Sequence, residues 1–198
     1  MTTHSHNLPT AFGYLRDEGD ERTLRKAAKA LAKACFNAHE YSKDRSTKVA
    51  AVFYTPGDWS VLSEGYNGFP RGARDDVDER HERPAKYLWS SHAERNGIDN
   101  AARMGTCIDG AIAVVTAFPC AGCMGSLINA GISRVITVEA TPDLVSRWGD
   151  SFEVSQQMVR EAHAHRGFAV RYLSAEDLAM AGVSDLGVEL VRRVAGIA

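Results

Sequence analysis

Four residues of this chain have the types and spacing of a hydrolytic metal site: His92, Glu94, Cys120 and Cys123. Zinc is commonly bound by imidazole and thiolate ligands, and two thiolates balance the double positive charge of the ion. Three protein ligands leave the fourth tetrahedral position for water, whose pKa zinc lowers toward about 7. Glu94 need not bind the metal, because a carboxylate beside such a water can carry protons. The residues predict a zinc hydrolase with Glu94 as its catalytic proton shuttle.

The two cysteines require the start of a helix. Cys120 and Cys123 are three residues apart, which is about 300° around a helix, so both thiols can face one point from its first turn. Pro119 suits such a start, because its missing N–H would be unpaired there anyway. The exposed N–H groups and the helix dipole also favour thiolate over thiol.

The histidine and the glutamate impose a second condition. His92 and Glu94 are two residues apart, so on a regular helix their side chains would point about 200° away from each other. They can share a site only if His92 lies at the start of its helix. Ser90 and Ser91 directly precede it and are residue types that cap helices.

Two other uses of the cysteines are open. A redox pair of the C-x-x-C type would need neither His92 nor Glu94. A closed structural site would use Cys107 as a fourth ligand and leave no position for water. The remaining cysteine, Cys35, lies in an apolar helical pattern, which indicates a small buried side chain.

The apolar pattern predicts alternating helices and strands around one core. With 198 residues and 44% hydrophobic content, the chain can bury a single sizeable core. Helices are predicted at 22–42, 91–104, 121–130 and 151–165, with one or two small helices after Ser174. Strands are predicted at 47–55, 60–65, 111–117, 134–139 and 168–173. This order predicts an α/β fold with a mixed sheet of about five strands covered by helices. The highly charged segment 68–84 is either a solvated loop or a substrate lid.

Charge and hydropathy limit the partners. The formal net charge is −2 and no polybasic block is present, so we expect no long nucleic acid as a partner. No apolar run is long enough to span a bilayer, and Met1 to Thr10 has no hydrophobic stretch typical of a secretory signal. We therefore expect a cytoplasmic protein with no membrane partner.

Several segments, taken in order, resemble those of deoxycytidylate (dCMP) deaminases. The H-x-E and P-C-x-x-C motifs are shared by zinc-dependent nucleobase deaminases in general. The segments that narrow the resemblance are Ser42-Lys43-Asp44, Gly65-Tyr66-Asn67-Gly68-Phe69-Pro70, Asp75-Asp76, Lys86-Tyr87 and Ala130-Gly131-Ile132. The resemblance implies a cytidine-deaminase-like three-layer α/β/α fold. It also implies a Zn²⁺ cofactor, a small nucleotide substrate, deamination of dCMP to dUMP with attack of the activated water at C4, and a homo-oligomer.

The same resemblance assigns domains and substrate residues. Residues 21–173 are expected to form the deaminase domain, residues 1–20 a flexible tail and residues 174–198 a helical extension. Asn67 corresponds to a substrate-binding asparagine, although a turn role beside Gly68 is equally natural. Ser42 and Lys43 are expected to meet the 5′-phosphate unless they are merely solvated. Tyr87 and Trp89 are weaker candidates for stacking on the base rather than packing.

One departure from the family pattern concerns regulation. Many relatives continue the Asn-Gly-x-Pro segment with Gly-Cys-Ser-Asp-Asp, whereas this chain has Gly72-Ala73-Arg74-Asp75-Asp76. The missing cysteine argues against a second zinc site and puts effector-nucleotide binding in doubt. Arg71 and Arg74 add positive charge to this loop.

Three other functions stay open from the sequence. A deaminase could act on 5-substituted dCMP, dCTP or a purine compound instead. A protein that edits or binds single-stranded nucleic acid would show salt-dependent binding, which the near-neutral charge does not favour. A catalytically silent zinc module would keep its metal but would not depend on Glu94 for any activity.

Overall fold

The computed structural model describes residues 10–196, which form one six-stranded mixed sheet with helices on both faces. The strands are β1 (Phe12–Tyr14), β2 (Ala50–Tyr54), β3 (Val61–Tyr66), β4 (Ile112–Val115), β5 (Arg134–Thr137) and β6 (Ala169–Tyr172). Their order in the sheet is β1-β6-β5-β4-β2-β3. Strands β1, β6, β5 and β4 are parallel, whereas β2 is antiparallel to both neighbours. The predicted mixed sheet is confirmed, with one strand more than expected.

The helices are α1 (Glu21–Tyr41), α2 (Lys86–Trp89), α3 (Ala93–Met104), α4 (Ala121–Asn129), α5 (Pro142–Arg166), α6 (Ala175–Met180) and α7 (Asp185–Ala195). Helix α5 begins nine residues before the predicted start at Ser151. The residues at this point are typical of a helix start. The Thr141 hydroxyl accepts a hydrogen bond from the backbone N–H of Leu144, and Pro142 occupies the first helical position. The prediction missed this start, and with it several residues of the site described below.

Side chains along β2 point alternately to the two faces of the sheet, and each face carries its own layer of the core. Ala50, Val52 and Tyr54 pack on one face, whereas Ala51 and Phe53 pack on the other. The first face is covered by α1, α6 and α7, and the second by α3, α4 and α5. The predicted three-layer α/β/α architecture is thereby confirmed.

Residues 10–20, the described part of the predicted N-terminal tail, contain strand β1 and contact the sheet. Residues 1–9 of that predicted tail lie outside the described residues. Strand β1 pairs in parallel with β6, and Leu15 directly after it is buried. Glu18 forms ion pairs with Arg134 and Arg171, which tie this segment to the sheet. A three-residue strand is too short to show alternation, which is why the sequence pattern missed it.

The last two described helices pack onto the domain. Leu178 on α6 and Val191 on α7 are buried in the same layer as α1. Among the described residues, no helix combines the length and apolar character needed to cross a membrane.

Candidate metal and active site

The histidine and the first cysteine each stand at the N-terminal end of a helix. His92 is the N-cap of α3 with φ −74° and ψ 155°, and Cys120 is the N-cap of α4 with φ −66° and ψ 165°. Both backbones are extended, so the helical rotation per residue does not separate His92 from Glu94. The two side chains line the same cavity. This is the placement that their spacing requires.

Long-range contacts hold these two helix starts in place. Gly68 and Ser91 exchange backbone hydrogen bonds, which fixes the chain one residue before His92. Ser91 therefore pairs with the loop after β3, and no side chain caps α3. Around α4, the Ser155 hydroxyl donates to the carbonyl oxygen of Pro119 over 3.0 Å, and the Ala121 N–H donates to the Ser151 hydroxyl over 2.9 Å.

Three ligand atoms converge between the helix starts. The Nδ1 atom of His92 is 3.5 Å from the Sγ atom of Cys120 and 3.4 Å from that of Cys123. The three atoms lie within 4.8 Å of one another. A tetrahedral zinc with bonds of about 2.0 Å to nitrogen and about 2.3 Å to sulfur separates such ligands by about 3.5 Å. The donor set and its spacing therefore fit a zinc ion.

The electrostatic properties of the two cysteines, Cys120 and Cys123, also suit a bound cation. Hydrogen bonding from Cys123 outweighs burial, and with His92 it lowers the pKa of Cys120 to about 4. The same interaction raises the pKa of Cys123, because the two sulfur atoms share one proton. A metal ion would replace that proton.

The remaining cysteines lie elsewhere. Cys107 is exposed in the loop after α3 and does not belong to the metal-ligand group found among the described residues. Cys35 is fully buried on α1, and burial raises the pKa of its thiol to about 12. This agrees with its predicted role as a small apolar side chain.

Glu94 is a buried carboxyl group beside the three ligands. It is 4% exposed and lines the cavity together with His92 and Cys120. Burial raises its pKa, although the nearby His92 opposes that shift. A carboxyl group in this position can accept a proton from a neighbouring group and release it again.

Aromatic side chains form much of the cavity wall. Phe118, Trp148 and Phe152 line it, and Phe118 packs edge-on against Phe152 with ring centroids 5.2 Å apart. The Trp148 ring lies edge-on to His92 at 5.9 Å and to Tyr87 at 5.7 Å. The wall therefore offers aromatic faces and edges to a flat ring.

Asn67 lines the cavity, but most of its amide group is used internally. Its Oδ1 accepts from the Ser42 hydroxyl at 2.6 Å and from the Val49 N–H at 2.8 Å. Its Nδ2 donates one hydrogen to the Thr47 carbonyl oxygen at 2.7 Å. An amide nitrogen carries two hydrogens, so one donor remains for another partner. Ser42 is buried behind Asn67 and does not line the cavity.

The other three predicted substrate residues differ in position. Tyr87 lines the cavity and contacts Trp148. Lys43 does not line it, and its ammonium group pairs with Asp75. Trp89 also lies outside the lining, with the Arg80 guanidinium 4.0 Å from its ring centroid.

Sequence reasoning missed several residues of the cavity wall. Lys86 and Asp44 form an ion pair there, with 2.9 Å between Lys86 Nζ and Asp44 Oδ2, and both side chains are less than 10% exposed. Arg147 and Trp148 come from the unpredicted first turns of α5. The Thr141-Pro142 helix signal could have identified these two residues, whereas nothing local pairs Asp44 with Lys86.

The family model and the similar proteins all point to one family of deaminases. The family model for the cytidine and deoxycytidylate deaminase zinc-binding region matches residues 24–139, more than half of the chain. An uncharacterized deaminase from the luxG 3′ region of Aliivibrio fischeri is 43% identical over 122 residues, which are 62% of this chain and 79% of that protein. The deoxycytidylate deaminase of Homo sapiens is 34% identical over 106 residues, covering 51% of this chain and 58% of that enzyme.

Solved structures show the same fold. The dCMP deaminase of cyanophage S-TIM5 in its apo form is 24% identical, covers 74% of this chain and 96% of its own, and superposes with a TM-score of 0.53. Its complex with dCMP and dUMP has 22% identity and a TM-score of 0.52, with coverage of 77% and 96%. Together with the geometry above, the family match leads to one conclusion: the chain belongs to the cytidine and deoxycytidylate deaminases and is a hydrolase of C–N bonds in cyclic amidines.

Proposed function

We propose that the protein converts dCMP to dUMP and ammonia, with Zn²⁺ held by His92, Cys120 and Cys123. The observation that carries the proposal is the convergence of these three donor atoms beside the buried Glu94 carboxyl group. The resemblance of the upstream segments to dCMP deaminases supports the choice of nucleotide. When bound by three protein ligands, zinc polarises a water molecule in its fourth position and lowers the pKa of that water toward about 7.

Glu94 has the central catalytic role in this proposal. Its carboxylate accepts a proton from the attacking water and delivers it to N3 of the pyrimidine as oxygen adds at C4. The second water proton then goes to the exocyclic amine, which leaves as ammonia when the C4–N bond breaks. The raised pKa of Glu94 suits this repeated acceptance and release of a proton.

The other cavity residues would orient the base. The unused amide hydrogen of Asn67 can be donated to a substrate oxygen, while Ser42 and Val49 hold the amide in one orientation. Tyr87 and Trp148 provide aromatic surface for the pyrimidine ring. In this arrangement Ser42 positions Asn67, and Lys43 and Trp89 stay outside the base-binding cavity.

The oligomeric state and the cellular location of the protein stay predictions. The resemblance implies a homo-oligomer, and composition favours a cytoplasmic protein. Size-exclusion chromatography with light scattering would determine the oligomeric state.

A substrate panel tests the proposed function. Pure zinc-loaded protein should release ammonia from dCMP faster than from deoxycytidine, dCTP, 5-methyl-dCMP or guanine. The metal content of the same sample is measured in parallel, so that absence of activity is not confused with absence of zinc. If zinc is bound and dCMP is not deaminated, the substrate assignment is wrong, and turnover of another panel member would identify the alternative deaminase.

A further inference from the structure

A basic groove adjoins the catalytic cavity on the side of the C-terminal helix. We use "basic groove" for the cleft that is lined by the positively charged or titratable residues His39, Arg45, Lys48, Arg83, Arg147 and Arg193. Asp143 is the one acidic residue that lines it in the part of the chain that the structure describes. Arg193 lies on α7, well beyond the segment that matches the family model.

Several of these positive charges have no carboxylate partner. Arg45 pairs with Asp78, and Arg147 pairs with Asp143 four residues earlier. The Lys48 ammonium donates to the Ser42 carbonyl oxygen at 2.7 Å and forms no ion pair with any described residue. Within residues 10–196, neither the Arg83 side chain nor the Arg193 side chain has a hydrogen bond or an ion pair. Three cations therefore face the groove without a neutralising acid.

The groove and the cavity share part of their lining. Thr47, Arg83, Leu144 and Arg147 line both spaces. A ligand with its ring beside His92 and Glu94 could therefore extend past Arg83 into the basic groove. Guanidinium groups bind phosphate oxygens with strong, charge-assisted hydrogen bonds, often two at a time.

Ser42 and Lys43, which the family resemblance places at the 5′-phosphate, are less suitable as phosphate ligands. The Ser42 hydroxyl donates to Asn67, and Lys43 is paired with Asp75 and lines neither the cavity nor the groove. The unpaired cations lie in the basic groove instead. The charge distribution therefore separates an aromatic cavity for the base from a cationic groove for an anion.

We propose that the basic groove binds the 5′-phosphate of the nucleotide whose base occupies the cavity, and that Arg193 makes α7 part of the substrate site. This inference rests on the proposed deaminase function and specifies which residues recognise the phosphate. It assigns to the C-terminal helix a role in distinguishing a nucleotide from its nucleoside.

The test compares Arg193→Ala with the wild-type enzyme on phosphorylated and unphosphorylated substrates. Loss of a charge-assisted contact should raise KM for dCMP by about 10- to 100-fold, while kcat/KM for deoxycytidine stays within about twofold. Arg83→Ala should also raise KM for dCMP, because Arg83 lines both the cavity and the groove. Inorganic phosphate should inhibit dCMP turnover competitively in the wild type and much less in Arg193→Ala.

Arg192→Ala is the matched control, because Arg192 is the exposed neighbour on α7 and does not line the basic groove. It should behave as wild type toward every substrate. If Arg193→Ala lowers kcat/KM equally for dCMP and deoxycytidine, α7 acts structurally and the inference is wrong. An unchanged KM for dCMP, or a loss confined to dCTP, would also overturn it. If the wild type deaminates no nucleotide at all, the proposed function fails instead, which the substrate panel shows independently.

Discussion

Lys86 and Asp44 form a buried ion pair at the edge of the candidate active site, with 2.9 Å between the ammonium nitrogen and a carboxylate oxygen. The Asp44 carboxylate also accepts from the backbone N–H groups of Ser46 and Thr47, at 2.9 and 3.0 Å. Lys86 additionally donates to the Ser46 hydroxyl at 2.6 Å. The pair therefore joins α2, just before His92, to the loop after α1, whose Thr47 contacts Asn67.

Removing one member of this pair should destabilise the protein strongly. Lys86→Met leaves the Asp44 charge buried without a counter-ion, and we expect a loss of about 3 kcal/mol in the free energy of unfolding. Urea denaturation at neutral pH measures it. The Asp44→Asn/Lys86→Met double variant should be more stable than Lys86→Met alone, because no unpaired charge remains. Equal stabilities of the single and double variants would contradict a coupled pair.

The same pair should contribute to the pH dependence of stability. Burial opposes the Asp44 charge, but Lys86 and the two N–H groups outweigh it and hold the pKa of Asp44 below its ordinary value. A carboxyl group with a lowered pKa in the folded state stabilises the protein above its unfolded pKa of about 3.9. That stability is lost as pH falls through the lower folded pKa.

Comparison with Asp44→Asn isolates this contribution from that of other carboxyl groups. The wild type should be more stable than the variant at pH 7, and the difference should shrink toward zero as the pH is lowered past the folded pKa. Urea unfolding of both proteins across this range gives the difference directly. A stability difference that does not change with pH would contradict the expectation.

Zinc binding should depend on the three clustered ligands and not on Cys107. Cys123→Ala removes a ligand from the group, so the purified protein should lose most of its zinc and melt at a lower temperature. Cys107→Ala is the matched control and should keep about one zinc per chain, because Cys107 is exposed and lies outside the group. Elemental analysis measures the metal content. Loss of zinc in Cys107→Ala would instead support a closed four-ligand site.

Glu94→Gln should separate catalysis from metal binding. The amide keeps the size of the side chain but cannot shuttle a proton, so kcat for the best substrate should fall by about 10²- to 10⁴-fold. Its zinc content should equal that of the wild type, since Glu94 is not among the three ligands. Ammonia release and elemental analysis on the same preparation provide both values. Full activity of this variant would refute the proton-shuttle role.

The close approach of α3 to the sheet should tolerate no added side chain at Gly65. A Cβ atom there would lie 2.2 Å from the backbone nitrogen of Gly97 and 2.3 Å from the carbonyl oxygen of Ala93. Gly65→Ala must therefore push α3 away from β3, and we expect it to cost about 3 kcal/mol. Gly57→Ala is the control, because no heavy atom lies within 4 Å of its added Cβ. Its stability should stay within about 0.5 kcal/mol of wild type, and equal effects of the two substitutions would contradict this account.

The sequence by itself predicted the ligand set and determined the α/β architecture. His92, Glu94, Cys120 and Cys123 are recognisable because their residue types and short spacings are local properties, and the two-residue separation of His92 and Glu94 already demanded a helix start. The apolar pattern likewise predicted five of the six strands, since each of these four- to six-residue strands lies in a recognisable run of apolar or alternating residues. Three-residue β1 carries none, so its pairing with β6 was not predictable.

Only the tertiary structure decided which of the other polar side chains are hydrogen-bonded or ion-paired to one another. Asn67 could have been a substrate ligand or a turn residue, and only its contacts with Ser42, Thr47 and Val49 show that one amide hydrogen remains unused. Lys86 and Asp44 are 42 residues apart, yet the fold buries them together. Arg193 lines the basic groove only because α7 packs on α1. Each of these contacts joins residues that are distant in the chain. Packing of the core brings them within hydrogen-bonding range, and a local pattern of residue types contains no information about such distant partners.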